Sequence, residues 1–128
     1  MRFRFPAAVL LLTAALWLSG AFDAPVRASV FAARVTVYLP TGNVMRSGIY
    51  PYPGAAACDW NYLPMGTRFT VGGREYRCLD TGGLVRGWHV DLFVPTWDEG
   101  VWLQSQIGEY STITVLAWGT NPPWWQGV

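Results

Sequence analysis

Asp80 and Asp91 are the side chains in this sequence best placed to do chemistry together. They stand eleven residues apart in Cys78-Leu79-Asp80-Thr81-Gly82-Gly83-Leu84-Val85-Arg86-Gly87-Trp88-His89-Val90-Asp91-Leu92-Phe93, with three glycines and one arginine between them. The apolar residues around Asp91 predict a strand that is largely buried. A carboxylate there must be hydrogen-bonded, paired or put to work, because an isolated buried charge is costly. Apolar Val90, Leu92 and Phe93, with a second carboxylate nearby, favour the protonated form of Asp91. Asp80 then stays ionised, held by Thr81, by N–H groups of the glycine loop or by Arg86. Two carboxyls held in different protonation states are equipment for general acid–base work. The structural alternative for each is a turn clasp onto backbone N–H groups, common for Asp beside Gly. His89, two residues before Asp91, can share its face of the strand. It either assists protonation or stands there as a polar neighbour.

The elements that must position these residues are short. Val30 to Tyr38 reads as a first strand, with Val35 and Val37 alternating against Arg34 and Thr36. A proline-rich loop follows, in which Tyr50-Pro51-Tyr52-Pro53 cannot pair regularly and can flank a cleft. Ala55 to Asp59 reads as a short buried strand, Thr67 to Val71 as another, Gly72-Gly73 as a hairpin turn and Arg74 to Asp80 as its partner. Thr96-Trp97-Asp98-Glu99 matches a capping box and opens a short helix to about Gln106. Ser111 to Trp118 is the last strand. Six or so short strands with Gly/Pro turns predict an all-β fold, a small β-barrel with one short helix.

Residues 1–28 have the order of a secretory signal peptide: Arg2 and Arg4, an apolar run from Phe5 to Leu18, then Val26-Arg27-Ala28 before Ser29. The domain is expected over 29–118 and a Trp/Pro-rich tail over 119–128, either frayed or laid over the domain as an aromatic strap. Cleavage makes the product a secreted or cell-envelope monomer that meets the membrane only in transit; the alternative is an uncleaved membrane anchor, for which the apolar run is short. Cys58 and Cys78 are the only cysteines, and an exported chain favours their pairing. Cys78 points with Asp80, whereas Cys58 points away from Asp59. A bridge with Asp59 and Asp80 in one cleft therefore requires a bulge, or a strand that ends at Asp59.

All nine basic residues are arginine, which excludes Schiff-base and phosphate-loop lysine chemistry. A formal net charge of +1 argues against nucleic acid as a partner. Two cysteines and one histidine fall short of a zinc site, and no metal or cofactor is expected. Eight Trp, six Tyr and six Phe are many for this length, and exposed rings on an exported protein point to sugar stacking.

Ala57-Cys58-Asp59-Trp60, Leu63-Pro64-Met65-Gly66-Thr67, Leu79-Asp80-Thr81-Gly82-Gly83, Val85-Arg86-Gly87 and Val90-Asp91-Leu92-Phe93 together resemble the 3D domain, named for three aspartates. The resemblance runs from about Phe31 to Trp118. It implies a double-psi β-barrel and, by likeness to lytic transglycosylases, cleavage of the MurNAc–GlcNAc bond of peptidoglycan without water, leaving a 1,6-anhydro end. On it, Asp91 matches the catalytic acid/base, Asp80 the supporting aspartate and Asp59 the first of the trio. Arg86 stands where the family often has lysine, which keeps the charge but not the geometry. Asp59, Gly82, Gly83 and Arg86, with Tyr52, Trp60 and Trp88 as sugar platforms, are the expected substrate contacts. The alternative is a non-catalytic, expansin-like module that binds glycan or loosens the wall.

Overall fold

A computed structural model describes residues 29–127. The expected signal peptide at 1–28 lies outside the described residues. Six strands and one helix follow in order: β1 (Ser29–Tyr38), β2 (Ala55–Cys58), β3 (Arg68–Val71), β4 (Arg74–Asp80), β5 (His89–Phe93), α1 (Trp97–Ile107) and β6 (Tyr110–Ala117). The strands close into a barrel in the order β1-β5-β2-β4-β3-β6. β1 runs parallel to β5 and β2 parallel to β4, while the remaining neighbours are antiparallel. Exchanging β1, β2 and β3 for β4, β5 and β6 leaves both the order and every strand direction unchanged. Each half thus lends a strand to a parallel pair with the other half, which is the double-psi arrangement.

The alternation seen in the sequence is what closes the barrel. Val35, Phe69, Val71, Val90, Leu92, Ile113 and Val115 are buried together in the main core. β2 is buried on both faces, and its alanines serve two clusters. Ala56 and Cys58 join the main core, whereas Ala55 packs with Met45, Leu79 and Phe93 on the other side. Gly72 and Gly73 adopt φ of 57° and 74°, the paired positive values that a tight β3–β4 hairpin requires. Thr96 caps α1 by accepting from the Glu99 N–H at 3.3 Å, and Gly100 lies against Val94 and Val37.

Cys58 and Cys78 form a disulfide across β2 and β4, with Cα atoms 5.6 Å apart. The expected bulge is present, and the strand stops one residue before Asp59. The β2–β4 register slips between Ala56 and Ala57, so that Ala56 pairs with Cys78 but Ala57 with Asp80, and β2 ends at Cys58.

The tail is a strap rather than a frayed end. Gly119 N–H donates to Thr67 Oγ1 at 3.0 Å, Thr120 N–H to Met65 O at 3.0 Å, and Met65 N–H to Asn121 Oδ1 at 2.8 Å. Trp125 then meets Trp60 edge-on at 5.1 Å. A Cβ on Gly119 would overlap Met65 O and Thr67 N, both rigid backbone atoms. Gly119→Ala is therefore expected to push the strap off at a cost of roughly 1–3 kcal/mol, read as a lower melting temperature with a changed Trp fluorescence.

Candidate active site

Asp91 lies within β5 and Asp80 ends β4, and both pair with the same residue of the strand between them. Ala57 is the register partner of Asp91 on one side and of Asp80 on the other. The two aspartates thus stand two strand spacings apart, with Cα atoms roughly 10 Å from each other. They face outward on one side of β2, with only a methyl group between. The β-bulge at Leu79 makes this alignment, because without it Leu79 would occupy the position opposite Ala57.

The two carboxyls are held differently. Asp80 Oδ1 accepts N–H from Arg46 at 2.8 Å and from Thr81 at 2.9 Å. The Arg86 side chain is not its partner; Arg86 Nε donates to Gly83 O at 3.3 Å. Asp91 Oδ1 lies 2.8 Å from the Thr36 hydroxyl, and Oδ2 has no hydrogen bond among the described residues. Burial pushes the Asp91 carboxyl above its usual range; the Thr36 hydrogen bond and His89 pull it back, and Asp80 adds to the push. Tyr38 reports on the same field, its phenol raised first by burial and then by Asp80 and Asp91. The Tyr38 and Ser47 hydroxyls are buried with no partner among the described residues.

A groove of about 210 Å³ is lined by Arg46, Asp59, Thr81, Gly82, Gly83, Arg86 and Trp125 among others; of the three aspartates only Asp59 is in its wall, while Arg46 and Thr81 are the residues whose N–H groups hold Asp80. Gly82 and Gly83 do form its wall, but neither has a positive φ; the turn's special backbone is at Gly87, with φ of 66°. Asp59 borders the groove with its carboxylate occupied, accepting N–H from Asn61 at 3.0 Å and from Gly87 at 2.8 Å. It clasps the loop between β4 and β5 onto the end of β2. A larger hollow of about 560 Å³, between α1 and the β3–β4 hairpin, contains none of the three aspartates.

The expected sugar platforms divide. Trp60 is 0% exposed, sealed beneath Trp124 and Trp125. A ring with no open face cannot stack on a sugar, so Trp60 belongs to the core. Trp88 is half-buried, stacked on Phe31 at 4.0 Å. Tyr52 is exposed but lines a separate shallow hollow with Arg68, Glu75 and Arg77. From the strap, Trp125 joins the buried Trp60 in the groove's wall, and the exposed Trp124 lies under the Arg46 guanidinium at 5.2 Å. Thr36 and the backbone N–H of Arg46 are site components that the sequence reading did not single out.

No curated protein matches the chain. Among solved structures it is similar to the Escherichia coli lytic transglycosylase MltA. An apo form of an MltA variant is 21% identical with a TM-score of 0.44, over 61% of this chain and 27% of that one. MltA with bound chitohexaose is 19% identical with a TM-score of 0.43, over 61% and 28%. The chain thus spans only about a quarter of the length of those structures. The sequence signature of the 3D domain matches residues 54–117, half of the chain and the whole stretch that carries Asp59, Asp80 and Asp91, and the chain belongs to the 3D domain family.

Proposed function

We propose that this protein is an exported enzyme that cleaves the glycan strands of peptidoglycan by a lytic transglycosylase-type reaction, with Asp91 as its one acid/base. The observation that carries this reading is the environment of Asp91. Its carboxyl is pushed toward the protonated form at the level of a second, anchored carboxylate, with one oxygen left without a partner among the described residues. Protonated Asp91 gives its hydrogen to the glycosidic oxygen as the bond to the ring carbon breaks. The C6 hydroxyl of the same sugar closes onto that carbon and passes its proton to the Asp91 carboxylate. Atoms balance without water, and the acid is restored. Asp80 is fixed by two backbone N–H groups and supports the positive charge that develops on the ring.

The groove fits a substrate that is both sugar and acid. Arg46 and Arg86 are exposed there and meet no carboxylate among the described residues, so they are available to lactyl or peptide carboxylates. Asp59 and the Gly82-Gly83 backbone shape the wall, with Trp124 and Trp125 as the aromatic surface. The disulfide suits an oxidising, extracytoplasmic compartment.

Incubation with purified peptidoglycan tests the reading, and soluble muropeptide fragments are expected. Binding to the sacculus with no new fragments would instead favour the glycan-binding, wall-loosening module.

A further inference from the structure

A line of hydrogen-bonding atoms ends at the proposed acid. His89 Nδ1 lies 3.2 Å from Leu84 O, His89 Nε2 lies 2.8 Å from Thr36 Oγ1, and Thr36 Oγ1 lies 2.8 Å from Asp91 Oδ1. A carbonyl can only accept, so Nδ1 carries a hydrogen. The Thr36 hydroxyl has a single hydrogen and a partner on each side. With one proton to share between Asp91 and Nε2, two arrangements satisfy every contact. In one, protonated Asp91 donates to Thr36, which donates to a bare Nε2. In the other, Nε2–H donates to Thr36, which donates to ionised Asp91. The two hold the same number of protons and the same total charge; they differ by a shift of two hydrogens along the line. Take one proton away and Thr36 can serve only Asp91 or Nε2, leaving the other facing an oxygen lone pair. His89 is 7% exposed, so water cannot readily replace the lost bond.

We propose that His89 is a positioning residue for the acid: through the Thr36 hydroxyl it shares one proton with Asp91, so that ring and carboxyl take up and release that proton as a pair. This rests on the reading of Asp91 as the acid. The groups facing the pair are few. β1 supplies Thr36 and the Tyr38 phenol, β4 supplies Asp80, and β2 places Ala57 opposite Asp91 and is followed by the buried Asp59. Arg34, the register partner of His89, is turned to Glu109 at 3.2 Å. During turnover the Thr36 hydrogen swings from Nε2 to the carboxylate when Asp91 gives up its proton. It swings back when the C6 hydroxyl returns one, so nothing is gained or lost over the cycle.

The test is a substrate-free NMR titration of the isotope-labelled full chain, following the Asp91 carboxyl carbon and the His89 ring nitrogens. Both signals are expected to share their inflections, as groups coupled by more than about one pK unit do. Thr36→Val separates them into independent curves and displaces the Asp91 midpoint, whereas Thr36→Ser keeps them joined. Independent wild-type curves, unmoved by Thr36→Val, would overturn the proposal. Should Thr36→Val fail to fold, His89→Gln is read on the Asp91 carboxyl: a displaced midpoint is expected, and an unchanged one is contrary. Because no substrate is present, a coupled titration in a protein that cleaves nothing would uphold the shared proton and sink the enzymatic reading alone.

Discussion

Asp91→Asn is expected to lower peptidoglycan-lytic activity by on the order of 10²–10⁴-fold, the range for losing a positioned general acid. The asparagine keeps the shape and its contact with Thr36, so binding to the sacculus persists while release of fragments stops. Asp80→Asn weakens activity less, because Asp80 acts only through its field. If Asp80→Asn abolishes lysis while Asp91→Asn retains it, the roles are reversed. The same substitution carries a stability signature. Burial raises the Asp91 carboxyl in the folded protein above its ordinary value of 3.8. The unfolded chain therefore loses that proton first. Stability contributed by the protonated side chain is complete below the unfolded value and declines as pH rises through the folded one. Asparagine does not ionise, so the melting temperature of the variant relative to wild type is expected to be higher at pH 7 than at pH 3. Calorimetry at the two pH values reads this directly.

The second large effect is structural. Cys58 and Cys78 close a loop of 20 residues and lie wholly within the core. Restricting the unfolded chain over that length stabilises the fold by about 3 kcal/mol, a large share of what a barrel of about 100 residues retains. Replacing both cysteines with alanine, or reducing the bridge, is expected to lower the melting temperature by on the order of 10–20 °C. The loss extends to activity, since the bridged β2–β4 pair carries the bulge that aligns Asp80 with Ala57 and Asp91. A variant with unchanged melting and lysis would remove the bridge from this account.

Much of the barrel was legible because its cues are local. Alternation in β1 and β6, the Gly72-Gly73 turn and the Thr96 cap all lie within a few residues of what they determine. Asp80 and Asp91 were legible as a pair from the glycine loop between them, and the tension between the disulfide and a cleft shared by Asp59 and Asp80 left a bulge as one of two ways out. What stayed hidden depends on pairings across the chain. Thr36 reaches His89 and Asp91 over 53 and 55 residues, through a parallel β1–β5 register that no local pattern encodes. In the sequence it read only as the polar partner of Val35 and Val37. Arg46 holds Asp80 through its backbone N–H, which every non-proline residue possesses, so residue type gave no hint. Trp60 looked available for stacking because its cover arrives from Trp124 and Trp125, more than sixty residues later. The sole clue was the density of tryptophan in the tail.

The central claim is that one carboxyl breaks the glycosidic bond and the sugar itself, not water, completes the reaction. Digesting purified peptidoglycan in ¹⁸O-labelled water and weighing the fragments tests this most directly. The account predicts 1,6-anhydro ends, lighter than hydrolysed ends by one water and free of label. Reducing ends that carry ¹⁸O would contradict it, since they require water as the nucleophile and a second carboxylate to activate it.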